Sequence, residues 1–468
     1  MLFNSLDFLL FFVIVTVSFF LLPHRFRWFL LLAASCYFYM VFVPIYILIL
    51  GATIVIDYFA GLLIEKSEGK RRHLFLIISL VANIGVLAVF KYYNFFIENI
   101  NLVAGSGFLP YLQILLPIGL SFHTFQAMSY TIEVFRKNQA AEKHFGIYAL
   151  YVMFYPQLVA GPIERPQNIL HQFHEEKKAD YSDLVIGLSQ MIRGFFKKVV
   201  VADLLSGYVD SIYNSYQINT GFTLIFASWL FLIQIYCDFS GYTDIAIGAA
   251  RMMGFKLMTN FNLPLFSKTL SELWKRWHIS LSTWFRDYLF NPILIKRRDW
   301  GKWALVYATM ITFLISGIWH GASWNFVIWG LLQGFFLSLE IILGIKTANF
   351  KKSRLKRMAG IFMTFNIYAF TLIFFRSYTF EQAITIVKNI FTPTYFFNLK
   401  ITDSSTFVNM FIPLILLFLI EYFIFRNKTY NELLIERPKF LFAMNAAFII
   451  FILLFGVSNG EQFIYFQF

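Results

Sequence analysis

The chain has 468 residues, 59% of them hydrophobic and only 14% charged, with 60 Phe, 25 Tyr and 10 Trp, a usage that excludes an ordinary soluble globular domain and marks a polytopic membrane protein. Lys and Arg outnumber Asp and Glu, 39 − 26 = +13. In a membrane protein such an excess gathers in cytoplasmic loops and sets topology, so a nucleic-acid partner is not expected.

The first apolar stretch, Phe8 to Leu22, follows no basic segment and precedes Pro23-His24-Arg25 rather than a small-residue cleavage site. It reads as an uncleaved first span. Apolar runs then recur, giving spans expected at 5–22, 28–43, 45–63, 74–97, 115–135, 222–245, 303–319, 323–345, 357–376, 407–425 and 440–457, each about long enough for a bilayer core of ~30 Å. The loops between them carry six basic clusters, from Arg25 and Arg27 through Lys70 and Arg354 to Arg437 and Lys439. Placing all six in the cytoplasm puts both termini outside. From 147 to 202 the runs are short and broken by Pro156, Pro162 and Pro166, and 262–302 is rich in charge and tryptophan. Re-entrant or interfacial helices are expected there, with one further crossing. No repeat, low-complexity tract or soluble insertion is evident, so one all-α membrane domain over 1–468 is expected. Cys36 and Cys237 support no disulfide framework.

Four stretches carry chemistry. In His171-Gln172-Phe173-His174-Glu175 the i, i+3 histidines lack a third ligand nearby and precede Lys177-Lys178, so a solvated loop is expected rather than a metal site. In the apolar run 234–248, Asp238 and Asp244 must be hydrogen-bonded, paired with a cation or neutralised. A structural pair and direct substrate contact are both open. Over 270–288 a helical wheel puts Lys268, Lys275 and Arg286 opposite Trp277, Leu281, Trp284 and Tyr288, the pattern of an interfacial amphipathic helix. His278 sits at its seam, beside Trp274 and Phe285. Finally, Gly317-Ile318-Trp319-His320-Gly321-Ala322-Ser323-Trp324-Asn325 places a lone histidine between two spans, with Gly321 permitting a turn and Ser323 available as an N-cap. An ionisable side chain at membrane depth is costly and usually functional, although a buried histidine satisfied by a backbone carbonyl is the alternative. No P-loop, dinucleotide fingerprint or HExxH motif is present.

These residues resemble the membrane-bound O-acyltransferase family, in its bacterial alginate O-acetyltransferase branch. The resemblance rests on Ala160-Gly161-Pro162-Ile163-Glu164-Arg165-Pro166, on Asp238-Phe239-Ser240-Gly241-Tyr242-Thr243-Asp244, on Trp274 to Leu289, on Trp319 to Phe326 and on the closing Phe463-Ile464-Tyr465-Phe466-Gln467-Phe468. It implies an all-α polytopic fold of about 11–12 transmembrane helices, with re-entrant and interfacial helices around a tunnel, in the bacterial cytoplasmic membrane. It further implies acetyl-CoA as cytoplasmic acyl donor, no metal, and a hydroxyl acceptor outside, on a polysaccharide or a partner acetyltransferase of the SGNH type. The family's catalytic histidine maps onto His320 and its second signature position onto His278. Trp274, Arg276, Trp277, Ser280, Asp238, Asp244 and Asn325 are the expected substrate-binding residues.

The chemistry of the residues agrees. Acyl transfer from a thioester to a hydroxyl needs a base near neutral pH, for which His320 is suited. The tetrahedral oxyanion needs a donor, with His278 and Asn325 as candidates. Lys275, Arg286 and Arg276 can hold CoA phosphates or lipid headgroups. Rival readings are D-alanyl transfer to teichoic acid, a component of peptidoglycan O-acetylation, and a transporter; the last predicts inverted repeats, which are not evident.

Overall fold

The computed structural model describes residues 1–464 except 106, 115, 160, 351–352, 394–396, 402–403, 428–437 and 458–462, with the backbone only for 404–406 and 425–427. Ala160 and the closing 465–468 of the sequence motifs lie outside the described residues. Every regular element among the described residues is helical, and each of the eleven apolar runs forms a helix. Among the described residues eight helices are long and apolar enough to cross a membrane: Pro44–Lys66, Gly69–Ala104, Gly221–Met252, Lys302–His320, Trp324–Leu343, Arg354–Arg376, Phe407–Ile424 and Pro438–Phe455. The other three expected spans are shorter, Leu6–Leu21, His24–Met40 and Leu120–Phe135. Leu120–Phe135 is buried almost throughout and carries His123, Gln126, Ser129, Thr131 and Glu133, so protein rather than lipid surrounds it.

The chain divides into two compact units, one of Met1–Met191 with Tyr242–Met258, the other of Ile192–Gly241 with Thr259–Phe468. In the first, the helices Ile47–Lys66, Gly69–Leu87 and Leu120–Phe135 pack together. Polar groups among them satisfy one another, as they must where water is absent. The fully buried Asp57 accepts from Ser79 Oγ at 2.6 Å and from Asn83 Nδ2 at 2.9 Å, and His123 Nε2 meets Thr53 Oγ1 at 2.7 Å. The proline-broken stretch becomes the short buried helices Phe145–Met153, Tyr155–Leu158 and Pro166–His174. Glu164 between them accepts the Met258 N–H at 2.6 Å, and burial, opposed by that bond, raises its carboxyl to about 7.

The second unit is built on the antiparallel pair Lys302–His320 and Trp324–Leu343, against which Arg354–Arg376 packs. The pair crosses at glycines: a Cβ on Gly317 would collide with the Phe326 carbonyl oxygen and stand 3.0 Å from Gly330 Cα. Small residues here let two backbones approach closely, as in membrane helix pairs generally. His320 follows Gly317 by three residues, so this crossing fixes where the histidine is presented.

The stretch 270–288 departs from the sequence expectation of one amphipathic helix. It consists of a short helix Leu270–Trp274, a turn, a second helix Ile279–Phe285 and a π-turn Arg286–Phe290. His278 breaks it, in the left-handed region at φ 43°. Trp277, Leu281 and Trp284 are 2%, 1% and 5% exposed, so the apolar stripe faces protein, where the wheel suggests lipid. Ser323 stands at the N-cap position of Trp324–Leu343 but its side chain makes no capping bond.

If the glycine crossing sets the second unit, Gly330→Ala should lower the melting temperature in detergent by the equivalent of about 1–3 kcal/mol of overpacking. Gly334→Ala, whose Cβ would meet the flexible Met310 Sδ at 3.0 Å, should cost clearly less. Equal losses, measured by thermal unfolding of both variants, would contradict this.

Candidate active site

His278 and His320 line one cavity of the second unit, together with Ile235, Trp274, Trp277, Trp329, Tyr368, Leu372 and Phe375. The space they enclose is about 10 Å³, room for roughly one water. His320 is the last residue of Lys302–His320 and is 6% exposed. Its ring lies 4.8 Å from the rings of Trp319 and Trp329 and 5.4 Å from Phe375. Gly321 follows in extended backbone, and any Cβ there would run into the Phe326 ring. Close packing, more than turn geometry, requires that glycine.

His278 is held from behind by Asn260. The backbone N–H of Ser280 reaches an Asn260 side-chain atom at 3.2 Å, and because a backbone N–H can only donate, that atom is the oxygen. Ser280 Oγ donates to the same oxygen at 2.9 Å, and His278 Nδ1 faces it at 3.0 Å. Nδ1 therefore carries the hydrogen, and the lone pair of the neutral ring sits on Nε2. The Asn260 backbone carbonyl also accepts the Ile279 N–H at 2.9 Å, which secures the left-handed turn at His278. A non-glycine residue held in that conformation costs of order 1–3 kcal/mol and persists only where its surroundings impose it. Burial lowers the His278 imidazole to about 3.

The other expected residues divide. Trp274 and Trp277 line the cavity; Trp274 Nε1 donates to Gln333 Oε1 at 3.2 Å, and Trp277 packs 5.3 Å from both Phe261 and Tyr368. Ser280 stands behind His278. Arg276 pairs with Glu272 at 3.0 Å and donates to the Asn262 carbonyl. Lys275 is exposed, and the exposed Arg286 pairs with Asp287 at 2.8 Å. Asn325, 2% exposed, donates its amide to the Ser377 carbonyl at 2.7 Å. Asp238 joins a buried ion cluster, with Lys198 Nζ at 2.7 Å from Asp238 and 2.8 Å from Asp203, and accepts the Ile464 N–H at 2.8 Å. Burial alone would lower Lys198, but the two carboxylates outweigh it and raise it. Asp244 belongs to the first unit and accepts from Gln190 Nε2 at 2.9 Å. His171 and His174 meet Glu175 and Glu142 at 3.9 and 2.8 Å, and no cluster of three metal ligands occurs among the described residues.

Sequence reasoning missed Asn260, Trp329 and Lys198. The Phe195-Phe196-Lys197-Lys198-Val199-Val200 run, two lysines inside an apolar stretch, was a signal that buried carboxylates must answer them. Asn260 carried none, since its role exists only through the turn it braces.

The model of the membrane-bound O-acyltransferase family matches residues 70–379, which include both histidines. The chain is 37% identical over 360 residues to the probable alginate O-acetylase AlgI of Pseudomonas aeruginosa, covering 74% of this chain and 67% of that protein. It is 34% identical over 386 residues to the peptidoglycan O-acetyltransferase of Helicobacter pylori, 76% and 72% of the two chains. Similarity to the teichoic acid D-alanyltransferase of Bacillus subtilis is lower, 27% over 232 residues, 47% and 58% of the two chains.

Replacing Asn260 by the similarly sized Leu leaves two N–H groups and a hydroxyl buried without their acceptor, each worth about 1–3 kcal/mol. Asn260→Leu should therefore melt well below the wild type, and an unchanged melting temperature would refute the bracing role. The lowered imidazole gives a pH test as well. The unfolded chain takes up the proton first, so this histidine's contribution is complete above pH 6.5 and is lost as the pH falls toward 3. Acidification from pH 7 to 4.5 should destabilise His278→Gln less than the wild type, as thermal melts at the two values would register.

Proposed function

The chain belongs to the membrane-bound O-acyltransferase family, and from that premise we propose that it passes an acetyl group from cytoplasmic acetyl-CoA to a hydroxyl outside the bacterial cytoplasmic membrane. The acceptor on this reading is an envelope or extracellular polysaccharide, reached directly or through a partner acetyltransferase. Relatives named for alginate and peptidoglycan O-acetylation support a glycan acceptor over teichoic acid D-alanylation. The observation that carries the reading is the meeting of His278 and His320, 320 − 278 = 42 residues apart in sequence, in the lining of one small, largely aromatic cavity.

In the proposed reaction His320 takes the proton of the acceptor hydroxyl as its oxygen bonds to the thioester carbonyl carbon. The carbonyl π electrons move onto oxygen; when they return, the carbon–sulfur bond breaks and the thiolate leaves, recovering the proton from the imidazolium. His278, with Nδ1–H committed to Asn260, presents an acceptor nitrogen, which suits orienting a hydroxyl or His320. It does not suit donation to the oxyanion. Shielding by Trp274, Trp277 and Tyr368 strengthens each polar interaction inside the cavity. A cavity of about 10 Å³ is too small for two reactants, so on this reading the wall of Trp274, Trp277 and Tyr368 moves on binding.

The test is the purified protein in detergent supplied with acetyl-CoA, with water taking the place of the acceptor hydroxyl and release of the CoA thiol followed optically. The wild type should release thiol, and His320→Ala, melting like the wild type, should be slower by about 10²–10⁴. Undiminished release by a well-folded His320→Ala would overturn the assignment.

A further inference from the structure

The tetrahedral oxyanion formed in acyl transfer needs a preorganised hydrogen-bond donor in a dry site. Both side chains that the sequence offered for this task are engaged elsewhere. The Nδ1–H of His278 goes to Asn260 and the amide of Asn325 to the Ser377 carbonyl. Trp274, also in the cavity wall, gives its indole N–H to Gln333.

Trp329 differs. It lines the same cavity as both histidines, is 1% exposed, and its Nε1 has no hydrogen-bond partner among the described residues. An indole N–H usually finds a partner when buried, and leaving it without one costs about 1–3 kcal/mol. Such a group in a native protein calls for an explanation, and a ligand that completes it during the reaction is one. Its position is also fixed. The next residue, Gly330, forms the tight crossing with Gly317, so the backbone cannot shift, and the ring is held 5.3 Å from Phe375 and 4.8 Å from His320. A rigid indole packed on the base, with its N–H unspent, is the kind of donor that electrostatic stabilisation of an oxyanion requires.

We propose that the Trp329 indole N–H is the oxyanion donor of the cavity, which makes Trp329 a catalytic residue alongside His320. The inference rests on the acyl-transfer reading above. As the hydroxyl oxygen bonds to the acetyl carbonyl carbon and its proton moves to His320, the carbonyl oxygen gains the electron pair and accepts the Trp329 N–H. When the carbonyl reforms and the thiolate departs, that bond weakens again. Nothing beyond the thioester and the hydroxyl is consumed. Because the bond is strongest in the transition state, its loss should lower kcat with little effect on KM.

The experiment uses the full-length protein in detergent with acetyl-CoA as the probe and thiol release as the readout. Trp329→Phe removes the N–H, and incorporation of 3-benzothienylalanine at position 329 removes it while keeping the shape of the ring system. Both should lose about 10²–10³ in kcat, with KM for acetyl-CoA near wild type, and the benzothienyl variant should melt no lower than the wild type because it loses only an unsatisfied donor. Wild-type kcat in the benzothienyl variant, beside an inactive His320→Ala, would overturn the donor role and leave the acyl-transfer reading standing. A benzothienyl variant that matches the wild type while Trp329→Phe is slow would assign Trp329 to packing and likewise overturn the proposal. No thiol release by the wild type, or full release by His320→Ala, would instead remove the reading on which the proposal rests.

Discussion

Inside packed helices a buried polar group cannot turn to water, and this constraint organises each unit of the chain. Asp57 is answered by Ser79 and Asn83, Asp238 by Lys198 and the Ile464 N–H, Trp274 by Gln333, and His278 by Asn260. A cluster such as Lys198 with Asp203 and Asp238 adds little to stability over apolar packing, because desolvation offsets the attraction, but losing one partner strands a buried charge. The same requirement separates structure from chemistry. Groups that are satisfied hold helices in place, whereas the Trp329 N–H, buried and without a partner among the described residues, stands ready for something that arrives.

The helices were legible because apolar length alone specifies a span, and a helix lies within each of the eleven runs identified in the sequence. Where length was marginal, as in Leu120–Phe135, polarity gave the reason, since its buried polar side chains need protein neighbours. The stretch around His278 was not legible. A helical wheel assumes continuous geometry, and the periodicity of Trp277, Leu281 and Trp284 persists across a break that one left-handed residue creates. The wheel also cannot tell lipid from protein as the environment of an apolar stripe, and here Trp277 of the stripe packs on Tyr236, Phe261 and Tyr368.

For the site, the two histidines, Trp274 and Trp277 could be read from the sequence, because unusual residue types in apolar surroundings are conspicuous. Side chains whose work is to brace another, such as Asn260 and Ser280, are not conspicuous, and Ser280 entered as a substrate contact although it stands behind His278. Arg276 and Arg286 looked like an anion face in sequence because charge was counted without partners. In the fold Glu272 and Asp287 pair with them, which reduces their pull on a phosphate. Net charge and wheel position are statements about composition, and ion pairing decides what remains for a ligand.

In the proposed reaction His278, His320 and Trp329 surround the reacting acetyl group. A structure of the full-length protein with a thioether analogue of acetyl-CoA, which keeps the carbonyl but cannot transfer it, tests this most directly. The expected result is an opened cavity, with the analogue's carbonyl oxygen within hydrogen-bond distance of Trp329 Nε1 and its carbonyl carbon facing His320. An acetyl group bound away from this cavity, or a carbonyl oxygen held by other donors with Trp329 Nε1 turned aside, would contradict it.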